Sequence, residues 1–339
     1  MSTDSRPTTD RTGGAAMAAA PMRVAFIGGH GRSGSTLLAR LLGSVDGVFS
    51  AGEVCYIWEQ GVLRDRICSC GEPFSRCELW QAVGDVAFGG WTTQVAREGL
   101  ALRKEVDRNR HVARLARPQL FPAYHAKLEQ YAEMYGRVHR GIKEASGAAV
   151  VVDTSKNPST GYLLRQMRGG GQGQDVDLRA VHLVRDVRGV AYSWAKVVSR
   201  PDRDGAPMTR LSPGRTTVEW TAFNAMVEGL GLLGVPRVLT RYEDLIAAPE
   251  ATLRSLLAFL DVPTGAETLS FIQGSTVTLP PGHEVTGNVM RFRSGAEQLR
   301  LDEEWKAAMS PRRRAAITAL GAPGLARYGY LGGAGSRAV

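Results

Sequence analysis

Several absences narrow this chain before any motif is considered. No apolar run in its 339 residues approaches the length needed to cross a bilayer, so neither a transmembrane helix nor stable membrane insertion is expected. The opening MSTDSRPTTDRTGGAAMAAAP has one short alanine run but no basic segment leading into a leucine-rich one. It reads as a disordered tail over residues 1–21, not as a signal peptide. Acidic residues are the minority, with 33 Asp and Glu against 42 Lys and Arg, for a formal charge of +9. That excess would suit nucleic acid, yet no RNA- or DNA-binding motif accompanies it, and anionic small ligands explain it equally well. The densest basic segment, LRKEVDRNRHVARLARP (Leu102 to Pro118), reads first as a solvated helix face and second as an acceptor-binding surface.

Cysteine is scarce. Three of the four cysteines fall in ICSCGEPFSRCELW (Cys68, Cys70 and Cys77), and Cys55 stands a little upstream. C-x-C-x6-C does not match common structural zinc spacing, and no paired histidine follows closely. The expectation is therefore no metal, with free thiols or a local disulfide. The chain reads as cytoplasmic, which makes reduced thiols the default.

What is present alternates. MRVAFIGG is a β-rich apolar run ending in glycines, and STLLARLLG has helical periodicity closed by Gly43. GVFSAGE reads as a second strand with Glu53 at its carboxyl end. Two helical stretches follow between Arg103 and Glu144, broken near Pro118 and Pro122. A buried strand (Ala149 to Val152) runs into the polar DTSKNP, GYLLRQMR resumes a helix, and GGGQGQD is flexible. A strand to Val184, polar residues and a helix then repeat the first layout. SRPDRDGAPMTRLSPGR is a mobile surface loop by composition, and RVLTRYEDL supplies a last strand between helices. LDEEWKAAMSPRRRAAITAL reads as one late helix.

This order predicts an α/β fold of three layers: a P-loop-like parallel sheet with helices on both faces, one domain over residues 22–330 and a tail over 331–339. Ligands in such sheets bind beyond the strands' carboxyl ends. The glycine loop, Glu53, Asp153 to Lys156 and Arg185 all fall at such ends.

One lysine is conspicuously missing. Gly29 to Thr36 fits the Walker A template G-x-x-x-x-G-K-[ST], except that Ser35 fills the lysine position. Glycines at 28, 29, 31 and 34 let the backbone approach an anion closely, and the following helix offers unsatisfied N–H groups and its positive dipole end. Ser33, Ser35 and Thr36 add hydroxyls. Arg32 is the strong cation inside the loop, three residues before the usual lysine, and cannot replace it by simple geometry. The loop reads as an anion cradle, but not one for ATP–Mg²⁺.

Together, GRSGSTLL and HLVRDVRGVAYSW resemble the sulfotransferases that use 3′-phosphoadenosine 5′-phosphosulfate (PAPS), and specifically the carbohydrate and bacterial branch, which has arginine where the cytosolic steroid and phenol enzymes have lysine. The resemblance runs from Arg23 to about Tyr330, with Val187 where the family commonly has proline. It implies that Gly31, Arg32, Ser33, Gly34, Ser35 and Thr36 cradle the 5′-phosphosulfate, and that Arg185 and Ser193 bind the 3′-phosphate. TRYEDL (Thr240 to Leu245) looks like the family's YEDL segment. GNVMRFRSG occupies the place of its C-terminal cofactor loop without the familiar RKG form, nominating Arg291 and Arg293.

The implied reaction moves a sulfuryl group to a hydroxyl of a small-molecule or carbohydrate acceptor (a sugar, glycolipid or secondary metabolite), without a metal. Lys156 resembles the lysine of an EKSP-type segment and, with Arg32, is the candidate cation for the transferring group. Glu53 is the first candidate base, with His30 and Asp153 in reserve and His283 behind them. Two other readings stand: a P-loop kinase or NTPase with a degenerate Walker A, and a non-catalytic nucleotide-binding protein. No nucleic-acid partner is expected, and homo-oligomerisation is left open.

Overall fold

Extended chain with consecutive apolar side chains must be buried on both faces, and Met22–Gly28, apolar throughout but for Arg23, is such a segment. In the computed structural model, which describes residues 21–168, 176–197 and 209–331, it is the central strand β1. Val24 and Phe26 enter one apolar cluster, while Ala25 and Ile27 enter another.

The elements follow in chain order: α1 (Ser35–Leu42), β2 (Val48–Gly52), α2 (Glu78–Phe88), α3 (Thr93–Val106), α4 (Val112–Ala116), α5 (Pro122–Ser146) and β3 (Val150–Lys156). Next come α6 (Pro158–Gln166), β4 (Val176–Val184), α7 (Val187–Ala195), α8 (Pro213–Leu232), β5 (Arg237–Arg241), α9 (Tyr242–Ala247) and α10 (Pro249–Phe259). The chain ends with β6 (Ile272–Gln273), β7 (Thr276–Leu279), β8 (Gly295–Gln298), α11 (Glu304–Ala308) and α12 (Pro311–Arg327).

Five strands pair in the order β2-β3-β1-β4-β5, all parallel. One face carries the cluster that holds Phe26, Trp58, Trp80 and Tyr135, and the other carries the leucines of α1 and α10. The three-layer α/β expectation is therefore met. From β1 the chain moves to the β3 side, and from β4 to the β5 side. The two connections diverge at the carboxyl ends of β1 and β4, which is where a doubly wound sheet opens a crevice.

Three local expectations change. β3 continues through Lys156 because Asp153 and Lys156 still pair with β1, at Phe26 and Gly28, across a register shift. The late helix divides at Ser310–Pro311 into α11 and α12. The antiparallel sheet β6-β7-β8 was not anticipated, its strands being only two to four residues long. The break foreseen near Pro118 and Pro122 is present, with Pro122 opening α5. Residues 169–175, 198–208 and the tails lie outside the described residues. Among the described residues no helix is long and apolar enough to cross a membrane.

Candidate active site

The glycine loop leaves β1 and crosses β4 so closely that a Cβ on Gly29 would sit 2.3 Å from the Leu183 carbonyl oxygen. Gly34 then takes a left-handed φ of 92° as the N-cap of α1, with the Tyr242 ring 2.6 Å from where its Cβ would be. No side chain caps this helix, and its first backbone bond is Leu38 N–H to the Gly34 carbonyl, 3.0 Å. By helix geometry the N–H groups of Ser35, Thr36 and Leu37 have no intrahelical acceptor. All three residues line a cleft of about 760 Å³, within the usual range for small-ligand sites.

The other loop residues are placed differently. Arg32 has a left-handed φ of 70° and its guanidinium lies 5.2 Å from the Trp194 ring centroid. Ser33 is buried, outside the cleft lining, and its Oγ has no hydrogen-bond partner. His30 lines the cleft but is 3% exposed, packed against Trp194 and Phe223. Burial pushes its pKa down, opposed by the Gly31 carbonyl and by Glu219.

Glu53 follows β2, and its backbone N–H donates to the Thr286 carbonyl at 3.2 Å. Lys156, at the end of β3, takes a left-handed φ of 63° and donates its Nζ–H to Glu53 Oε1. This ion pair is about one-sixth exposed and lines the cleft. Asp153, the reserve base, does not line it. Its carboxylate is fully buried, accepting from the Ser155 amide (2.8 Å) and hydroxyl (2.5 Å) and from the Tyr135 hydroxyl (2.8 Å), with His139 Nε2 at 3.2 Å. His283 lies elsewhere too, against Cys68 and Cys77. The four cysteines are free, so the local disulfide is absent, and burial pushes the Cys55 thiol up to about 12.

Arg185 and Ser193 line the same cleft from the β4–α7 side. The Arg185 guanidinium donates to the Arg32 carbonyl (3.3 Å) and to the Asp302 carbonyl (2.8 Å), pairs with the Asp302 carboxylate (3.0 Å) and lies 4.5 Å from the Tyr242 ring centroid. Burial pushes the Asp302 carboxyl up, but the hydrogen bond and charge of Arg185 outweigh it and hold it below the ordinary value. TRYEDL thus builds this side: Tyr242 packs on both Gly34 and Arg185, and Glu243 accepts from the Asp186 N–H (3.1 Å) and the Tyr330 hydroxyl (2.6 Å).

The two C-terminal arginines separate. Arg293 lines the cleft, exposed and 3.2 Å from Glu297. Arg291 is 1% exposed, outside the lining, and donates to the carbonyls of Gly287 (3.2 Å) and Ile67 (2.9 Å). It anchors backbone instead of facing the cleft, because the short 3₁₀ turn Val289–Phe292 directs it inward. Sequence reasoning also missed Asp302 and Arg300, cleft residues in a segment that carries no motif, and Trp194, which closes HLVRDVRGVAYSW but has no role in that resemblance. Among the described lining residues six Arg and Lys oppose four carboxylates, so the cleft favours an anion.

No family model and no curated protein matches the chain. Three solved structures are similar along most of it. The sulfotransferase domain from the Synechococcus PCC 7002 olefin synthase is 19% identical, over 89% of this chain and 94% of that one, with a TM-score of 0.47. The sulfotransferase domain from the curacin biosynthetic pathway is 18% identical over 88% and 96%, TM-score 0.43. Sulfotransferase STF9 from Mycobacterium avium is 14% identical over 91% and 77%, TM-score 0.45. With identity and TM-score this low, the fold assignment stands on the strand order and the functional reading on the cleft.

Proposed function

We propose that the protein is a PAPS-dependent sulfotransferase acting on a hydroxyl of a small-molecule or carbohydrate acceptor. One observation carries the reading. The uncapped start of α1, the Glu53–Lys156 pair and the Arg185–Ser193 side all open onto one cation-rich cleft, whose phosphate loop has serine in place of the Walker lysine.

In this reading the backbone of Gly31 to Thr36, with the Thr36 hydroxyl and Arg32, holds the 5′-phosphosulfate. Arg185 and Ser193 hold the 3′-phosphate with help from Arg293, and Arg291 is left out. The acceptor oxygen attacks sulfur in line as the bond from sulfur to the 5′-phosphate oxygen breaks. That oxygen departs with the electron pair on adenosine 3′,5′-bisphosphate (PAP), and Glu53 takes the acceptor's proton. Lys156 and Arg32 neutralise charge on the transferring group and leaving oxygen. Donor binding competes with Glu53 for Lys156, which frees the carboxylate when it is needed.

The kinase or NTPase reading is disfavoured by Ser35 and by Asp153. This acid, midway along β3, is turned beneath α5 and fully bonded, where a Mg²⁺ site would need it in the cleft. For a nucleotide binder without catalysis, an acid–base pair beside the loop would have no use. Calorimetry with PAPS and PAP, followed by labelled PAPS with a panel of sugars, phenols and natural-product alcohols, tests the proposal. Folded protein that binds neither nucleotide overturns it.

A further inference from the structure

Sequence spacing argued against a metal because the fourth ligand was sought nearby. The fold brings it from 206 residues away. Cys68, Cys70, Cys77 and His283 place one ligand atom each within 4.8 Å of all the others. Cys68 Sγ and Cys70 Sγ lie 3.7 and 3.8 Å from Cys77 Sγ, and His283 Nδ1 lies 3.3 Å from Cys77 Sγ and 4.0 Å from Cys68 Sγ. With Zn–S of about 2.3 Å and Zn–N of about 2.0 Å, tetrahedral coordination has S···S edges of about 3.8 Å and S···N edges of about 3.5 Å. Four of the six edges already approximate those values and the other two are within 4.8 Å, so a single ion at their centre needs only side-chain shifts.

The backbone around them is built as a ligand turn. Gly71, at a left-handed φ of 97°, donates its N–H to the Cys68 carbonyl (3.0 Å), and the Cys68 N–H donates to the Glu72 carbonyl (2.8 Å). The Trp80 indole N–H donates to the His283 carbonyl at 2.8 Å and fixes the histidine's backbone. Cys68 and Cys77 are buried, while Cys70 and His283 are half-buried, leaving one side open for the ion to arrive.

We propose that Cys68, Cys70, Cys77 and His283 form a structural zinc site. Three thiolates and one imidazole are a closed tetrahedral set with no position for a substrate, which fits a staple and not a reaction centre. The staple joins the segment before α2 to the one that runs beside Glu53. From His283 the chain passes Glu284, whose N–H donates to Ser69 Oγ (2.7 Å), and reaches Thr286, which accepts from the Glu53 N–H (3.2 Å). The ion thus holds one wall of the cleft, and this assignment is independent of the reaction proposed above.

Elemental analysis of protein purified under reducing conditions without a metal-binding tag should find about one zinc per chain. Cys77→Ser and His283→Ala should each lower that at least tenfold, and Cys55→Ser should leave it unchanged. To avoid reliance on variants that may not fold, wild-type protein stripped and refilled with Co²⁺ should develop thiolate-to-cobalt charge-transfer absorption at one equivalent. Folded wild type that neither retains zinc nor gives this band with all four thiols reduced would overturn the site, as would full zinc in Cys77→Ser.

Discussion

Replacing Arg185 by alanine should separate two ligands that differ by a single phosphate. In the free protein the guanidinium is 7% exposed and shared between the Asp302 carboxylate, itself 35% exposed, and two backbone carbonyls. A hydrogen bond to a charged group contributes about 1.5–3 kcal/mol net. Exchanging the partly exposed Asp302 pair for a phosphate forfeits at most about 1 kcal/mol of that. The 3′-phosphate should therefore lose between about 0.5 and 3 kcal/mol in Arg185→Ala, centred on about 1–2 kcal/mol, which is about 5- to 30-fold in Kd. The variant also releases the Arg32 carbonyl and disturbs the phosphate loop, but that loss falls equally on a nucleotide without the 3′-phosphate. The decisive quantity is the ratio of the two losses, measured by calorimetry with PAP and adenosine 5′-phosphate. PAP should weaken at least fivefold more. Losses equal within twofold would remove the 3′-phosphate from this side of the cleft.

Two further outcomes follow from the same geometry. Glu53→Gln should lower turnover by about 10²–10⁴-fold, with PAP affinity nearly unchanged; near-normal turnover in the labelled-sulfate assay moves the base to His30, the reserve candidate that lines the cleft. His182 is fully buried, its Nε2 2.9 Å from Asn224 Oδ1 and its Nδ1 3.1 Å from the Arg237 guanidinium, so it is held neutral, and burial lowers its pKa to about 4. The unfolded chain then binds the extra proton between pH 4 and the ordinary histidine value, so stability is full above about 6.5 and falls as pH drops towards 4, by about 3 kcal/mol at most. Urea midpoints at pH 7, 5.5 and 4.5 should show that slope in wild type and a shallower one in His182→Gln; parallel slopes refute it.

The parts of the site legible in the sequence are those whose geometry is local. Strand, glycines and uncapped helix are consecutive, so the phosphate loop follows from spacing, and Arg185 and Ser193 fall within one strand-to-helix segment. Glu53 and Asp153 could not be ranked by position, because the sequence pattern sets both at strand ends, although Asp153 lies midway along β3. Strand parity held a usable signal. Val151 enters the cluster beneath α5, and Asp153, two residues on, points the same way, to Tyr135 and His139 of that helix. No local pattern pairs Tyr242 with Arg185, or His283 with three cysteines more than 200 residues earlier. Those contacts depend on how the sheet order returns distant segments to one end, and a single sequence does not carry that information.

The two proposed catalytic cations share a backbone oddity that separates chemical from structural causes. Arg32 and Lys156 take φ of 70° and 63°, among only four described non-glycine residues with positive φ. A left-handed residue with a Cβ bears a cost of about 1–2 kcal/mol. Glycine would remove most of that, at an entropic penalty of about 0.5–1 kcal/mol. Against this modest gain, Arg32→Gly gives up a cation–π contact with Trp194 of about 0.5–1 kcal/mol, and Lys156→Gly gives up the partly exposed pair with Glu53. For Lys156 the terms nearly cancel, so Lys156→Gly should unfold within about 1 kcal/mol of wild type. Loss of a preorganised charge aimed at the transferring group typically costs about 10²–10³ in turnover. Stability by urea titration and turnover from labelled PAPS should therefore diverge in Lys156→Gly: the first nearly flat, the second down at least 100-fold. A variant several kcal/mol less stable would mean that packing, not chemistry, keeps this side chain on left-handed backbone.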